Sequence, residues 1–319
     1  MKMPEKKILV SWVGTALMIA SLIFLGRRLY TLTTEAEIVW SELATTGVVM
    51  GFIAVALFEG FGILLMGFNF RALVKNVSGV LVARPLGLVV YTVSNLYKYI
   101  PGGVMYVVGR NRLAVETDEL GHPEVAVSTV IEGALVAVAA IVIVLVTVFD
   151  YTRERLRQTE FSAIFFVVVI AIVVVAVIAA FVFRHKIREG AKKIREHMQV
   201  LRPLVLVKRF GFALFIMILW GGTFLATLVV LGLELSPGMT PTIIGLFLLA
   251  WLAGFLTPGA PSGAGVREVI LLTFMGAMVG EGIVLQAMVL HRILAAIGDV
   301  AAYGVAVGYA HIAKIRETL

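Results

Sequence analysis

Long apolar runs separated by short polar segments dominate the chain. Runs near 20 residues match the thickness of a bilayer's hydrocarbon core, so each predicts a membrane-spanning helix. The clear runs lie at roughly 8–26, 43–68, 125–149, 161–183, 211–233, 241–257 and 283–310. The pattern predicts an all-α, polytopic membrane helix bundle. We expect a single integral membrane domain over 1–319, with no separate soluble domain beside the helices.

Region 80–115 departs from this pattern. Within it, 86–99 is amphipathic: Tyr91, Asn95 and Lys98 recur at the i, i+4 and i+7 positions of one helix face. Residues 100–103, Ile-Pro-Gly-Gly, then break the helix before it resumes. Helix, break and helix predict a re-entrant hairpin, which survives at membrane depth only where protein buries it or where it lines a wet cavity. The alternative is an amphipathic helix lying flat on the membrane surface.

A second break repeats the spacing of the first. Pro258 precedes Arg267 by nine positions, as Pro101 precedes Arg110, and a glycine follows each proline. Broken helices at matching positions of an internal repeat indicate a transporter's binding site. The sequence therefore predicts two repeat elements, at 80–115 and 241–281, with two unrelated loops as the alternative.

The two breaks combine glycine with arginine. Glycines let backbone N–H groups face a ligand, and the start of a helix favours an anion. The planar guanidinium of arginine suits phosphate oxygens. The predicted set for a phosphate-bearing headgroup is Lys98, Gly102, Gly103, Arg110, Gly265 and Arg267.

Several ionisable residues fall inside apolar runs, among them Glu59, Glu132 and Asp299, with His291 and Arg292 shortly before Asp299. Such residues are costly in a membrane and tend to be functional, although structural ion pairs are the alternative. No catalytic arrangement surrounds them. The residues predicted to line a polar cavity are Glu59, Asn95, Tyr99, Glu132, Glu268 and Asp299.

Composition narrows the classes of function. The chain has no cysteine, which excludes disulfides and thiol catalysis, and its five histidines have no metal-ligand spacing. We therefore expect neither a metal nor a cofactor. Nine Lys/Arg in 184–209 account for much of the positive charge. A basic loop between spans indicates topology or contact with anionic lipid rather than nucleic-acid binding.

The distribution of Lys and Arg predicts a cytoplasmic N-terminus, because three lysines precede the first span. If 264–280 crosses as a short helix, the chain makes eight crossings and its C-terminus is also cytoplasmic. If 264–280 dips in and returns, the C-terminus lies outside.

Two motifs, 95–110 (NLYKYIPG…GR) and 263–268 (GAGVRE), resemble the lysylphosphatidylglycerol synthase transmembrane-region family. The resemblance implies a membrane-embedded lipid translocase of the prokaryotic cell membrane, such as those that move aminoacylated phosphatidylglycerol between leaflets. One re-entrant element would then be shaped by Asn95, Lys98, Tyr99, Pro101, Gly102 and Arg110. The other would be shaped by Gly265, Arg267 and Glu268.

Two departures from the family bear on the substrate. We expect no soluble aminoacyl-transferase domain, because the chain ends at Leu319. The second motif reads Ser-Gly-Ala-Gly over 262–265, where the family has a double glycine. The expected partners are a membrane phospholipid, a second copy of the chain and a separate lipid-modifying enzyme.

The leading hypothesis is a translocase for a phosphate-bearing lipid. Its transport would be passive or ion-coupled, because no nucleotide-binding phosphate loop occurs. One alternative is a transporter of small solutes or anions, since re-entrant elements serve these equally well. Another is a membrane enzyme acting on a polyprenyl-phosphate lipid through a divalent metal. Its acids would come from Glu116, Asp118, Glu119 and Glu124.

Overall fold

The computed structural model describes residues 45–99, 105–117, 120–148, 151, 203–257, 263 and 265–318. Every regular element in these ranges is helical, which confirms the predicted all-α bundle. The runs predicted at 8–26 and 161–183 lie outside the described residues, as does most of the basic loop 184–209.

The described helices are numbered in chain order. They are α1 (Thr46–Ser78), α2 (Arg84–Leu96) with a 3-10 turn (Tyr97–Tyr99), α3 (Met105–Thr117), α4 (His122–Thr147), α5 (Pro203–Val230), α6 (Met239–Leu256), α7 (Val266–Ile270), a π-helical turn (Leu271–Gly276), α8 (Ala277–Val279) and α9 (Glu281–Thr318). In the described part, five helices are long and apolar enough to cross a membrane: α1, α4, α5, α6 and most of α9.

Helix α1 extends about three turns beyond its apolar run. It ends at Gly79, whose φ of 76° is a left-handed conformation that glycine adopts without strain. The Gly79 N–H donates to the carbonyl of Lys75 at 3.0 Å. Arg71 Nε donates to the Val82 carbonyl at 2.5 Å and so holds the following turn against the helix. The apolar run therefore marks the membrane-embedded part of α1 rather than the whole helix.

The predicted re-entrant region is built from α2, the 3-10 turn and α3, while 100–104 lie outside the described residues. Helix α2 packs against α1, α3 and α9. It buries Leu88, Val90 and Tyr91 among these neighbours. A helix lying flat on a membrane would present its apolar face to lipid, so this burial in protein favours the re-entrant interpretation.

Within the second predicted element, 241–281, the segment after the break is short and irregular. Helices α7 and α8 and the π-helical turn between them span fourteen residues. At 1.5 Å per residue they rise about 21 Å, less than the roughly 30 Å hydrocarbon core. Gly280, with a φ of 97°, ends this segment and begins the turn into α9. Whether 264–280 crosses the membrane stays a prediction.

Tyr151 contacts the π-helical turn, because its hydroxyl donates to the Phe274 carbonyl at 2.9 Å. We expect Tyr151→Phe to cost about 1 kcal/mol, the usual value of one such bond. The unfolding midpoint, followed by circular dichroism in micelles, should fall by roughly 2 °C for a chain of this size. Tyr309→Phe is the control, because Tyr309 is exposed on α9. Equal midpoints for the two variants would show that the hydroxyl adds nothing.

Helices α1 and α9 cross at a pair of glycines. A Cβ added to Gly60 would lie 2.6 Å from the Gly298 carbonyl oxygen, and one added to Gly298 would lie 2.5 Å from the Ala56 carbonyl oxygen. Only residues without side chains permit so close a backbone approach. Glu59 and Asp299 directly adjoin the two glycines, so the crossing brings both acids into the interior.

Candidate functional site

Polar side chains, many of them buried, form two clusters in the described part of the chain. The Arg110 cluster consists of Asn69, Tyr91, Ser94, Arg110, Glu132 and Arg209. The Asp299 cluster consists of Glu59, Asn95, Lys98, Tyr99, Thr223, Arg267, Glu268, His291, Arg292 and Asp299.

Arg110 is held by contacts within the protein. Its side chain is 2% exposed, and Nη1 donates to Glu132 Oε2 at 2.7 Å. Its Nε donates to the Ser94 hydroxyl at 3.1 Å. The guanidinium carbon lies 3.9 Å from the centre of the Tyr91 ring, a cation–π contact. These contacts favour a structural role for Arg110, and its predicted phosphate-binding role stays untested.

Further polar contacts join the Arg110 cluster across four helices. The Tyr91 hydroxyl lies 3.4 Å from Glu132 Oε2, which links α2 to α4. Arg209 Nη1, on α5, donates to Asn69 Oδ1, on α1, at 3.0 Å. Asn69 in turn lies beside Glu132. With Arg110 itself on α3, the cluster ties α1, α2, α3, α4 and α5 together.

Asp299 gathers the residues that immediately precede the first proline–glycine break. Its side chain is 2% exposed and receives hydrogen bonds from Asn95 Nδ2 at 2.8 Å and from the Tyr99 hydroxyl at 2.5 Å. Lys98 Nζ lies 2.7 Å from Asp299 Oδ2. The end of α2 and its 3-10 turn are therefore attached to α9 through a single carboxylate.

The second motif is attached to the same helix. The Glu268 carboxylate contacts Arg292 of α9, two turns before Asp299. It also accepts a hydrogen bond from the Gly265 N–H at 2.6 Å. Gly265 was predicted to face a ligand, but in the structure its N–H is directed to Glu268.

Glu59, His291 and Thr223 form a buried polar group on three helices. Glu59 Oε1 lies 3.2 Å from His291 Nε2. The Thr223 hydroxyl donates to the same carboxylate. The rings of Phe224 and Phe247 meet the imidazole edge-on, each with a centroid distance of 5.3 Å. An ionisable pair is therefore enclosed by aromatic side chains.

Arg267 differs from the other cations of the Asp299 cluster. Its Nε is buried and has no hydrogen-bond partner among the described residues. The side chain passes two glycines, since a Cβ on Gly254 or Gly263 would lie 3.0 Å from Nε. Arg267 is close enough to Glu59 and Tyr99 for electrostatic interaction. In the part of the chain that the structure describes, its charge has no direct counter-ion.

The two motifs come together in the structure, but Arg110 and Arg267 do not contact each other among the described contacts. Arg267 lies in the Asp299 cluster, whereas Arg110 lies with Glu132 in the other. The first motif reaches the Asp299 cluster through Asn95, Lys98 and Tyr99. Gly102 and Gly103 lie outside the described residues. The binding roles of all these residues stay predictions.

Several members of the clusters were absent from the predicted site. They are Asn69, Tyr91, Ser94, Arg209, Thr223, His291 and Arg292. His291 and Arg292 carried a signal, because they interrupt an apolar run. Thr223 and Ser94 carried none, since small hydroxyl residues are common in membrane helices and bond to their own backbone.

The structure describes part of the acidic loop that a metal-dependent enzyme would use. Asp118 and Glu119 lie outside the described residues. Glu116 forms an exposed pair with Arg112 at 2.7 Å, and Glu124 is half-buried at the start of α4. No group of three or more His, Asp or Glu residues that could hold a metal ion occurs in the described ranges.

Comparison with known protein families identifies the family of the chain. The model of the family described as "Lysylphosphatidylglycerol synthase TM region" matches residues 8–302. The matched range contains both polar clusters and both proline–glycine motifs. No curated protein matches the chain.

Proposed function

Because the chain belongs to the lysylphosphatidylglycerol synthase transmembrane-region family, we propose that it is a lipid translocase. It would move a phosphate-bearing phospholipid between the leaflets without changing it chemically. The chain is a multi-pass membrane protein of a lipid-related family. The observation that carries the proposal is Arg267, whose Nε is buried without a hydrogen-bond partner and whose charge has no direct counter-ion among the described residues.

The proposed role of Arg267 is to hold the lipid phosphate. A buried charge without a partner is costly, and an anionic ligand would compensate it. The planar guanidinium can direct two N–H groups at two phosphate oxygens. Gly254 and Gly263 allow the Arg267 side chain to pass close to the backbone, where any other side chain would crowd Nε.

The rest of the Asp299 cluster suits the remainder of a headgroup. Lys98 is 28% exposed and can reach a ligand without leaving Asp299. A cationic moiety, such as the ammonium of an aminoacylated headgroup, would meet the carboxylates of Glu59 and Asp299. On this proposal the acyl chains stay in the bilayer, and a separate enzyme supplies any modified lipid. The N-terminus would be cytoplasmic in a prokaryotic cell membrane.

Purified protein in liposomes with headgroup-labelled phosphatidylglycerol tests the proposal. An impermeant quencher added outside should remove more than the outer-leaflet half of the signal when the protein is present. Arg267→Ala should slow this loss about 10- to 100-fold, the effect of losing a hydrogen bond to a charged group. Arg267→Lys should be intermediate, because it keeps the charge without the planar fork. Arg112→Ala is the matched control, since Arg112 is exposed and paired only with Glu116 in the described part.

The outcomes separate the activity from its site. Movement at the wild-type rate in Arg267→Ala would keep lipid translocation and discard Arg267 as its anchor. A wild-type protein that moves no labelled phosphatidylglycerol would contradict the proposal. Counterflow of soluble glycerol phosphate without lipid movement would instead establish a small-solute transporter.

A further inference from the structure

Glu59 and His291 form an ionisable pair that phosphate binding at Arg267 does not use. Both side chains are buried, and their closest atoms, Glu59 Oε1 and His291 Nε2, lie 3.2 Å apart. They come from α1 and α9 and meet near the glycine crossing of these helices. Thr223 of α5 completes the contact through its hydroxyl. With Thr223, the pair involves three helices, so a movement of these helices relative to one another would alter the contact.

Glu59 differs from the other acids of the Asp299 cluster in the kind of cation that pairs with it. Asp299 is paired with Lys98, and Glu268 with Arg292. In the described ranges, the direct partner of Glu59 that can carry positive charge is His291. Lysine and arginine stay protonated in the physiological range, whereas histidine changes its charge between about pH 5 and 8. The local charge balance at Glu59 therefore depends on a proton.

The surroundings of the pair contain both signs of charge. Its apolar walls are Phe224 of α5 and Phe247 of α6. Among the described residues, Lys98, Tyr99 and Arg267 interact electrostatically with Glu59. The other charged groups of the Asp299 cluster are Asp299, paired with Lys98, and Glu268, paired with Arg292 next to His291. Glu59 interacts electrostatically with Arg267, the cation that we assign to the lipid phosphate.

We propose that the Glu59–His291 pair binds a proton and couples its movement to that of the lipid, one proton for each monoanionic headgroup. The inference rests on the proposed lipid translocation. A proton on the imidazole compensates Glu59, so the charge of Arg267 is free to attract a phosphate. When the imidazole is neutral, Glu59 and Arg267 offset each other and the phosphate is held less tightly.

Proton and anion therefore favour each other's binding, and this linkage is reciprocal. Phosphate binding at Arg267 draws a proton to His291, and release of the proton weakens the hold on the phosphate. A monoanionic lipid that travels with one proton carries no net charge. Movement of the pair across the membrane is consequently independent of the membrane potential, which acts on net charge.

The test imposes a gradient of one pH unit across the liposomes, with the potential clamped at zero by potassium and valinomycin. For one proton per lipid, labelled phosphatidylglycerol should accumulate about tenfold in the leaflet facing the alkaline side. His291→Gln and Glu59→Gln should both abolish this accumulation. His311→Gln is the matched control, because His311 lies on the same helix and is exposed. It should accumulate lipid as the wild type does.

An even distribution of moving lipid under the gradient would overturn the coupling and leave the proposed function intact. A protein that moves no lipid overturns both. A second measurement examines the proton site directly: nitrogen-15 NMR of histidine-labelled protein in nanodiscs, with His291→Gln to assign the signal. We expect added phosphatidylglycerol to shift the His291 signal towards that of a protonated imidazole. A signal that does not respond to phosphatidylglycerol would overturn the proton site whatever the transport assay shows.

Discussion

Arg110→Ala should destabilise the folded protein by about 3–5 kcal/mol, because it leaves Glu132 buried and charged without its partner. Glu132 is 4% exposed, and its closest cation is the Arg110 Nη1 at 2.7 Å. The cation–π contact with Tyr91 and the hydrogen bond to Ser94 disappear as well. The measurement is reversible unfolding in mixed micelles, with the midpoint read from helical circular dichroism.

Two comparisons show whether the pair itself is responsible. Arg112→Ala removes an exposed arginine of the same helix and should leave the midpoint close to that of the wild type. The double variant Arg110→Met/Glu132→Gln removes both charges and should recover most of the lost stability, as replacement of buried ion pairs often does. If Arg110→Ala unfolds like Arg112→Ala but no longer moves lipid, Arg110 binds the phosphate as the sequence predicted.

Gly298→Ala should destabilise the protein by about 1–3 kcal/mol, although alanine is the better helix former. The new methyl group would lie 2.5 Å from the Ala56 carbonyl oxygen and 2.8 Å from the Cβ of Glu59. Backbone atoms cannot rotate away, so α1 and α9 must separate. The separation would also lengthen the contact between Glu59 and His291, and we expect the response of lipid to a pH gradient to weaken.

Gly304→Ala is the matched control on the same helix. A Cβ at Gly304 has no atom within 4 Å, so the substitution should stabilise the helix by up to about 1 kcal/mol. The two variants are thus expected to differ in sign as well as in size. Equal midpoints would show that the two helices separate without cost.

The sequence predicted the helices well because length and apolar content decide them locally. The runs at 43–68, 125–149, 211–233, 241–257 and 283–310 all fall within α1, α4, α5, α6 and α9, give or take a turn. Helix α2 and the turn after it could also be predicted from the sequence, since Tyr91, Asn95 and Lys98 repeat with helical spacing. That shared face nevertheless divides between two clusters: Tyr91 contacts Glu132, whereas Asn95 and Lys98 contact Asp299.

The pairing of charges could not be predicted in the same way. Asn95 and Asp299 are separated by 204 positions, and Thr223 and Glu59 by 164. Nothing local marks such partners, because they depend on how whole helices pack. The prediction that Arg110 and Arg267 hold one phosphate assumed that motifs with the same spacing lie in equivalent positions of the fold. In the structure Arg110 is paired with Glu132, 22 positions along the chain. Arg267 has no corresponding acidic partner among the described residues.

The π-helical turn was equally invisible in the sequence. Residues 271–276 read as ordinary helix formers, and no glycine or proline precedes Gly276 in that stretch. In the structure the Tyr151 hydroxyl donates to the Phe274 carbonyl within this turn, a contact between residues 123 positions apart. The glycine crossing of α1 and α9 was also missed, since glycine is too frequent in the chain for one pair to be singled out.

Helix α9 contacts both broken elements, through Arg292 and Asp299, seven residues apart on one side of a continuous helix. One residue inserted between them would rotate Asp299 by about 100° relative to Arg292 and shift it by 1.5 Å along the axis. No side-chain change elsewhere could restore both contacts together. Ile293 and Ile297, by contrast, are exposed and can be exchanged for other apolar residues. Insertions and deletions in 292–299 should therefore be tolerated far less than substitutions.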